Sequence, residues 1–235
     1  EYNLKFENTE VWGFEHAFKG MRNAKNSWNR SDSKKITWDR KWFTDNQTLI
    51  NYFAKYGVNI NIGENDLKLA QTLIKAGSEH CKFMRMIHVA VNVNMPRYWW
   101  SEADTYHFNT KNSCSTMHKL LNNNDPITLD MFVNCDEDID WWKYTVNKLE
   151  SMRLEYKEIQ KTTKDSNAMY NLLVRAKRML PEGFEQMRTC DTNYAELRNM
   201  YFQRRHHRLK EEWVDTFCKW IETLPYAKEL IMYEG

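Results

Sequence analysis

The stretch from Phe83 to Met95, FMRMIHVAVNVNM, constrains this chain most, because its apolar residues alternate over many positions. A period of two places every second side chain on one face of an extended backbone, and a helix cannot gather that pattern onto one side. A strand with one face in a core is therefore predicted, running up to Pro96. Proline cannot donate to a ladder, so pairing is expected to stop there.

A second, opening strand is predicted over residues 2–12 from Tyr2, Leu4, Phe6, Val11 and Trp12. The spacing of Phe14, Ala17, Phe18 and Met21 predicts a helix in GFEHAFKGMRN, followed by the polar connector NSWNRSDSKK. DNQTLINYFAKYG predicts a helix capped by Asp45 or Asn46 and stopped by Gly57. GENDLKLAQTLIKAGSEH repeats that plan, with Asn65 or Asp66 opening and Gly77 closing. LNNNDPITLDMF reads as a turn and a helix start. Residues 138–180 read as two helices with a polar break near 163–166, ended by Pro181 and Gly183. The last segment, from Thr192, predicts a helix or helix pair, with Asn193 as cap, Glu196 three residues later and Pro225 at its end.

These elements predict an α+β fold, a small antiparallel sheet with surrounding helices. No repeat or linker interrupts the 235 residues, so one domain over 1–235 is expected. A net charge of +2 is too small for non-specific nucleic-acid binding, so no nucleic acid is expected as a partner. The apolar runs fall far short of a membrane span, and EYNLKFENTEVWGF lacks the pattern of a signal peptide. Five cysteines, Cys81, Cys114, Cys135, Cys190 and Cys218, include no CxxC pair, which disfavours a zinc site or a disulfide framework and fits the cytoplasm. Cys114 is the one to test as a reactive thiol, although an unreactive small side chain is the simpler reading. The 7 glycines form no GxGxxG or phosphate loop, and no nucleophilic triad is visible.

Two clusters carry chemistry. After Pro96 come Arg97, Trp99 and Trp100, the acids Glu102 and Asp104, and then Asn112, Ser113, Cys114, Ser115 and Thr116. Hydroxyls and backbone N–H groups in such a loop can hold a phosphate. The same residues can instead cap the following STMHKLL helix, and the tryptophans can pack a strand end. The second cluster is Arg198, Arg204, Arg205 and Arg208. A guanidinium fork suits phosphates and pyrimidine carbonyls, although a bare charge run also serves as a solvated face. His206 and His207 are adjacent and lack metal-ligand spacing on a helix. Local basic clusters of this kind can meet a phosphorylated small molecule.

Two segments resemble the flavin-dependent thymidylate synthases. The first, Gly77 to His118, is similar to that family's H-E-x-P-F-E-H, R-H-R and S-x-N-E-x-S-x-R-Y series. It places His80 on the first histidine, Pro96 on a proline, Asn112 on the asparagine and Ser115 on the second serine. The second, Arg175 to Arg204, resembles A-R-x-x-L-P through Ala176, Leu180 and Pro181. It also resembles T-x-N-A-R-x-L-x-x-F-x-x-L-R through Asn193, Leu197, Asn199 and Arg204. Thr105, Tyr106 and His107 stand where R-H-R belongs, Ser113 replaces the glutamate, and Met117 and Lys177 replace arginines. The departures point to a divergent, phage- or Firmicutes-type branch.

The resemblance implies a homotetramer with shared active sites, FAD as cofactor, and a pyrimidine nucleotide monophosphate, deoxyuridine monophosphate, as substrate. Methylene-tetrahydrofolate would supply the carbon and NADPH the reducing power, and no protein nucleophile would be needed. It assigns Ser115, Arg204, Lys177, Ser113 and Thr116 to the substrate. It assigns His80, Asn112, Asn193, Asn199, Tyr106 and His107 to the cofactor; Arg97, Trp99 and Trp100 are expected on the cofactor's side too, compensating for the missing arginines through a cation and stacking faces. The alternative is a non-catalytic nucleotide-binding or interaction protein that retains the fold.

Overall fold

The structure is a computed structural model that describes residues 3–36 and 46–235. Strand β1, Lys5–Trp12, takes up the opening alternation; Tyr2 lies outside the described residues. Gly13 follows with φ 97°, and a Cβ there would meet the Met86 carbonyl oxygen at 1.9 Å, so only glycine fits. Helix α1, Phe14–Met21, buries Phe14, Ala17 and Phe18, the i, i+3, i+4 set expected of one apolar face. A 3₁₀ turn, Asn23–Lys25, precedes the polar connector, which holds a second one, Trp28–Arg30, and then β2, Lys34–Lys35.

Helix α2, Gln47–Tyr56, ends at Gly57 in the left-handed conformation, as the sequence predicts. Asn46 stands at its N-cap without a side-chain cap bond, and Asp45 lies outside the described residues. Strand β3, Ile60–Asn61, pairs antiparallel with β2. Helix α3, Glu64–Lys75, opens at Gly63, not at Asn65 or Asp66. Its cap comes from far in sequence: Asp32 accepts from the Asn65 and Asp66 amides at 2.8 and 3.0 Å. Asp66 is then free for another task, accepting buried bonds from Arg22 (2.5 Å), Ser31 and Ser33.

The long alternation becomes strand β4, His88–Pro96, with Val89, Val91, Val93 and Met95 inward. It starts later than the pattern suggests, because Lys82–Met86 form a 3₁₀ turn that buries the consecutive Phe83 and Met84. Helix α4, Arg97–Ala103, and strand β5, Thr110–Ser113, follow within the stretch read as a loop. Helix α5 is the short Thr116–Lys119. LNNNDPITLDMF yields only a 3₁₀ turn at Leu129–Met131. The two expected helices are α6, Ile139–Lys161, and α7, Ser166–Met179.

Strand β6, Glu185–Asn193, has no apolar alternation to reveal it. It leads into α8, Tyr194–Arg204, whose N-cap Asn193 accepts from the Glu196 amide as predicted. A π-helical stretch, Lys210–Cys218, and α9, Lys219–Glu222, complete the expected helix pair. The main sheet has the order β1-β4-β6-β5, and helices surround it in an α+β architecture.

The chain divides into two compact units. Unit 1 comprises the described residues up to Lys5, Asn94–Thr105 and Asn112–Arg188. Its core joins α6 and α7 through Leu149, Met152, Leu172 and Ala176, with Leu121 and Phe132 against them. Unit 2 comprises the described residues of Phe6–Val93, Tyr106–Lys111 and Thr189–Gly235. There Tyr194 is fully buried, its ring meets Phe14 edge-on at 5.5 Å, and its hydroxyl donates to the Pro225 carbonyl.

Candidate functional site

In unit 1 the polar cluster is tied to the start of β6. The Cys114 amide donates to the Met187 carbonyl at 3.0 Å, and the Gln186 side chain donates to the Cys114 carbonyl at 2.7 Å. That clamp sets Ser115 and Thr116 at one side of a cavity of about 390 Å³. Ser115 takes the capping role: its hydroxyl oxygen accepts from the His118 amide at 3.3 Å. Thr116 is buried and its Oγ1 accepts from the Lys177 ammonium of α7. Burial, and then the nearby Arg97 guanidinium, hold the Lys177 pKa below the usual lysine value. Arg97 also pairs with Glu182 at 3.1 Å. Four sequence-derived site residues, Ser115, Thr116, Lys177 and Arg97, are thus gathered into one cationic, hydroxyl-bearing corner.

Asn112 and Ser113 lie exposed on β5. Cys114 is exposed and lines the cavity. The two tryptophans take the packing alternative: Trp99 and Trp100 are 3% and 1% exposed, and their rings meet edge-on at 4.9 Å. They offer no free stacking face, because α4 turns both into the unit. Asp104 is paired with Arg188 at 3.0 Å, and that guanidinium lies 4.2 Å from the Trp100 ring. Asp104 is therefore engaged by a cation.

The floor of the same cavity holds residues that sequence reading missed. Glu185 is buried and accepts from the Asn3 amide at 3.3 Å and from the Asn94 side chain. Burial pushes its pKa up against the lowering effect of those two bonds. Asn94 is visible as a polar break in the Val-Asn-Val-Asn run, but nothing in EQMRTCDTN marks Glu185 as inward.

Unit 2 holds the remaining candidates, around a cavity of about 480 Å³ lined in part by Asn193, Asn199, Arg85, Phe108 and Phe202. Asn193 is spent structurally, since it caps α8 at 3.0 Å and donates to the Phe108 carbonyl at 3.4 Å. Asn199 is exposed, with its carbonyl accepting from Gln203 at 2.8 Å. Arg85, which sequence reading also missed, sits 5.2 Å from the exposed Phe108 ring. Glu196 is buried at the cavity, and burial raises its pKa despite the opposing effects of the Phe108 backbone bond and of the nearby His107, Arg85 and Lys111 side chains.

Arg204 donates to the Tyr106 hydroxyl at 2.8 Å, and that hydroxyl donates to Gln203 at 2.8 Å. The guanidinium also lies 4.5 Å from the Trp213 ring. His80 and His107 are exposed, and neither lines the cavity. Arg198 is drawn to the Ile231 carbonyl at 2.7 Å, and Arg205 pairs with Glu234. His207 accepts from the Leu209 amide. No group of three or more metal-ligating side chains occurs among the described residues. No helix among them is long and apolar enough to cross a membrane. The polar loop belongs to unit 1, while the arginine helix α8 belongs to unit 2.

No protein-family model matches the sequence, and no curated protein matches it. Solved structures do match. One is the flavin-dependent thymidylate synthase ThyX from Helicobacter pylori complexed with FAD and dUMP, with a TM-score of 0.64, 14% identity, and coverage of 98% of each chain. The fold is that of a flavin-dependent thymidylate synthase. A second structure of the Helicobacter pylori enzyme, also with FAD and dUMP, matches at a TM-score of 0.65 and 14% identity, covering 99% of this chain and 100% of that one.

Proposed function

We propose that this chain transfers one carbon from methylene-tetrahydrofolate to a pyrimidine deoxynucleoside monophosphate, with deoxyuridylate as substrate, FAD as cofactor and NADPH as reductant. It would act in the cytoplasm as a homotetramer with shared active sites, in a divergent phage- or Firmicutes-type branch of the thymidylate synthases. The observation that carries this reading is the corner formed by Thr116, Lys177 and Arg97. Lys177 is partly buried beside a like charge, an arrangement that disfavours its ammonium until an anion arrives. A nucleotide phosphate supplies that anion. The Thr116 oxygen already accepts from Lys177, so its hydroxyl hydrogen is left to donate to a phosphate oxygen. Ser115 and Ser113 complete the polar side, and Arg204 serves the nucleotide through its fork.

The cavity bearing Asn199, Arg85, Phe108 and Phe202 fits one end of a flavin dinucleotide, because it offers aromatic faces, an amide and a guanidinium. When bound, reduced flavin supplies the hydride. Asn193 shapes that cavity as the α8 cap. We assign His80, Asn112, Tyr106 and His107 to supporting roles toward the cofactor. The protein's own contribution is binding and electrostatic positioning.

One observation favours the alternative of a non-catalytic nucleotide binder. The Tyr106 hydroxyl is already engaged by Arg204 and Gln203, so Thr105-Tyr106-His107 does not offer the donor forks that R-H-R would. Purified protein separates the two. Flavin absorbance, together with folate- and NADPH-dependent conversion of deoxyuridylate, supports the enzyme. Colourless protein that binds deoxyuridylate in a calorimeter without turnover supports the binder.

A further inference from the structure

The unit 1 cavity has a floor that the phosphate corner does not use. Glu185 is 8% exposed and lines the cavity. Asn94 spends both amide hydrogens, one on Glu185 and one on the Asn3 carbonyl, and so fixes the carboxyl in place. Each Glu185 oxygen accepts one bond, from Asn3 or from Asn94. A carboxylate has about four acceptor positions, and hydrogen bonds among the described residues use two of them. The cavity is also lined by the apolar side chains of Leu120, Ile127, Met131 and Phe184, with Lys119 among its polar residues. Asp125 and Asp130, also at the cavity, attract hydrogen-bond donors and repel acceptors.

We propose that this cavity binds a flat heterocycle with two adjacent donors, the ring N–H and amino group of a 2-amino-4-oxopyrimidine, on the carboxylate of Glu185. Uracil and cytosine do not present two neighbouring donors of this kind, whereas pterins and guanine do. Two parallel N–H···O bonds to one carboxylate are the strong, geometrically selective form of such recognition. The apolar walls suit the ring faces. The burial that raises the Glu185 pKa means its charge is poorly compensated by protein alone, and the ligand's donors would complete it. In the pterin case the inference rests on the proposed function, because it seats the carbon donor's ring in the cavity that Ser115 and Thr116 also line.

Calorimetry on the full chain, without added nucleotide, tests the proposal. Tetrahydrofolate and pterin are titrated in one arm and guanosine 5′-monophosphate in the other. Lumazine and inosine 5′-monophosphate, which lack the 2-amino group, are the controls. At least one arm should bind tenfold or more tighter than its control, and Glu185→Gln should weaken that binding at least tenfold, because an amide N–H then faces a donor. Binding in the pterin arm alone assigns the cavity to the carbon donor. Binding in the guanosine arm alone assigns it to a guanine nucleotide and leaves the heterocycle class intact. Controls that bind as well as their parents, or no binding in either arm, overturn the proposal even if Glu185→Gln fails to fold. Because deoxyuridylate is absent, failure of the phosphate corner would appear only in its own separate titration.

Discussion

Lys177→Met isolates the cation on which the nucleotide reading depends. The ammonium bonds Thr116, sits beside Arg97, and is partly buried. A hydrogen bond to a charged group contributes about 1.5–3 kcal/mol, so its loss should weaken deoxyuridylate binding by roughly ten- to a hundredfold. Stability should move the other way or stay level, since the variant removes a desolvated charge next to a like one. The pH dependence has a definite sign. The folded state holds the Lys177 pKa below its unfolded value, so the folded protein binds fewer protons between the two. Wild-type stability therefore gains from this group as pH rises from the depressed pKa toward that of free lysine, and Lys177→Met lacks the gain. Calorimetric titration with deoxyuridylate, paired with thermal melts across that pH range, measures both effects. Unchanged affinity in a folded variant would refute the assignment of this corner to the phosphate.

Other expectations follow from the same contacts. Arg204→Ala should weaken nucleotide binding about tenfold or more, and it also strips a partner from the Tyr106 hydroxyl; calorimetry reads the first and melting the second. Asn193→Ala removes the α8 cap and should cost about 1 kcal/mol, seen as a Tm lower by a few degrees. Asp66→Asn should destabilise by about 3 kcal/mol or more in denaturant melts, because it leaves Arg22, at 4% exposure, with an uncompensated charge. Burial alone would raise the Asp66 pKa, but bonds from Ser33, Ser31 and Arg22 outweigh it and lower the net value. The stability from Asp66 is therefore present above the unfolded carboxyl pKa and lost as pH falls through the depressed folded one.

The legible parts of the fold were those where burial writes a period into the sequence. Val89, Val91 and Val93 announced β4, and Phe14, Ala17 and Phe18 announced α1. Gly57 and Asn193 worked as terminators because their conformations are local. What stayed hidden depended on distant partners. Helix α3 is capped by Asp32, more than thirty residues upstream of the amides it accepts from, so Asn65 and Asp66 looked like the better caps. Strands β5 and β6 are polar because their side chains line cavities or solvent, and no periodicity separates them from loops.

The candidate site was legible in the same uneven way. Ser115, Thr116, Lys177 and Arg97 were drawn from separate segments and meet in space. Trp99 and Trp100 left two readings open in the sequence, a stacking platform or strand-end packing, and the structure buries both on a short helix. Glu185 and Arg85 could not be found, since each owes its role to the walls around it rather than to its neighbours in sequence.

One-carbon modification at C5 of the base must expel the C5 hydrogen, so deoxyuridylate labelled there with tritium tests the central claim most directly. The account predicts tritium release into water that depends jointly on FAD, methylene-tetrahydrofolate and NADPH and falls at least tenfold in Lys177→Met. Protein that binds deoxyuridylate and FAD yet releases no tritium under those conditions would contradict it.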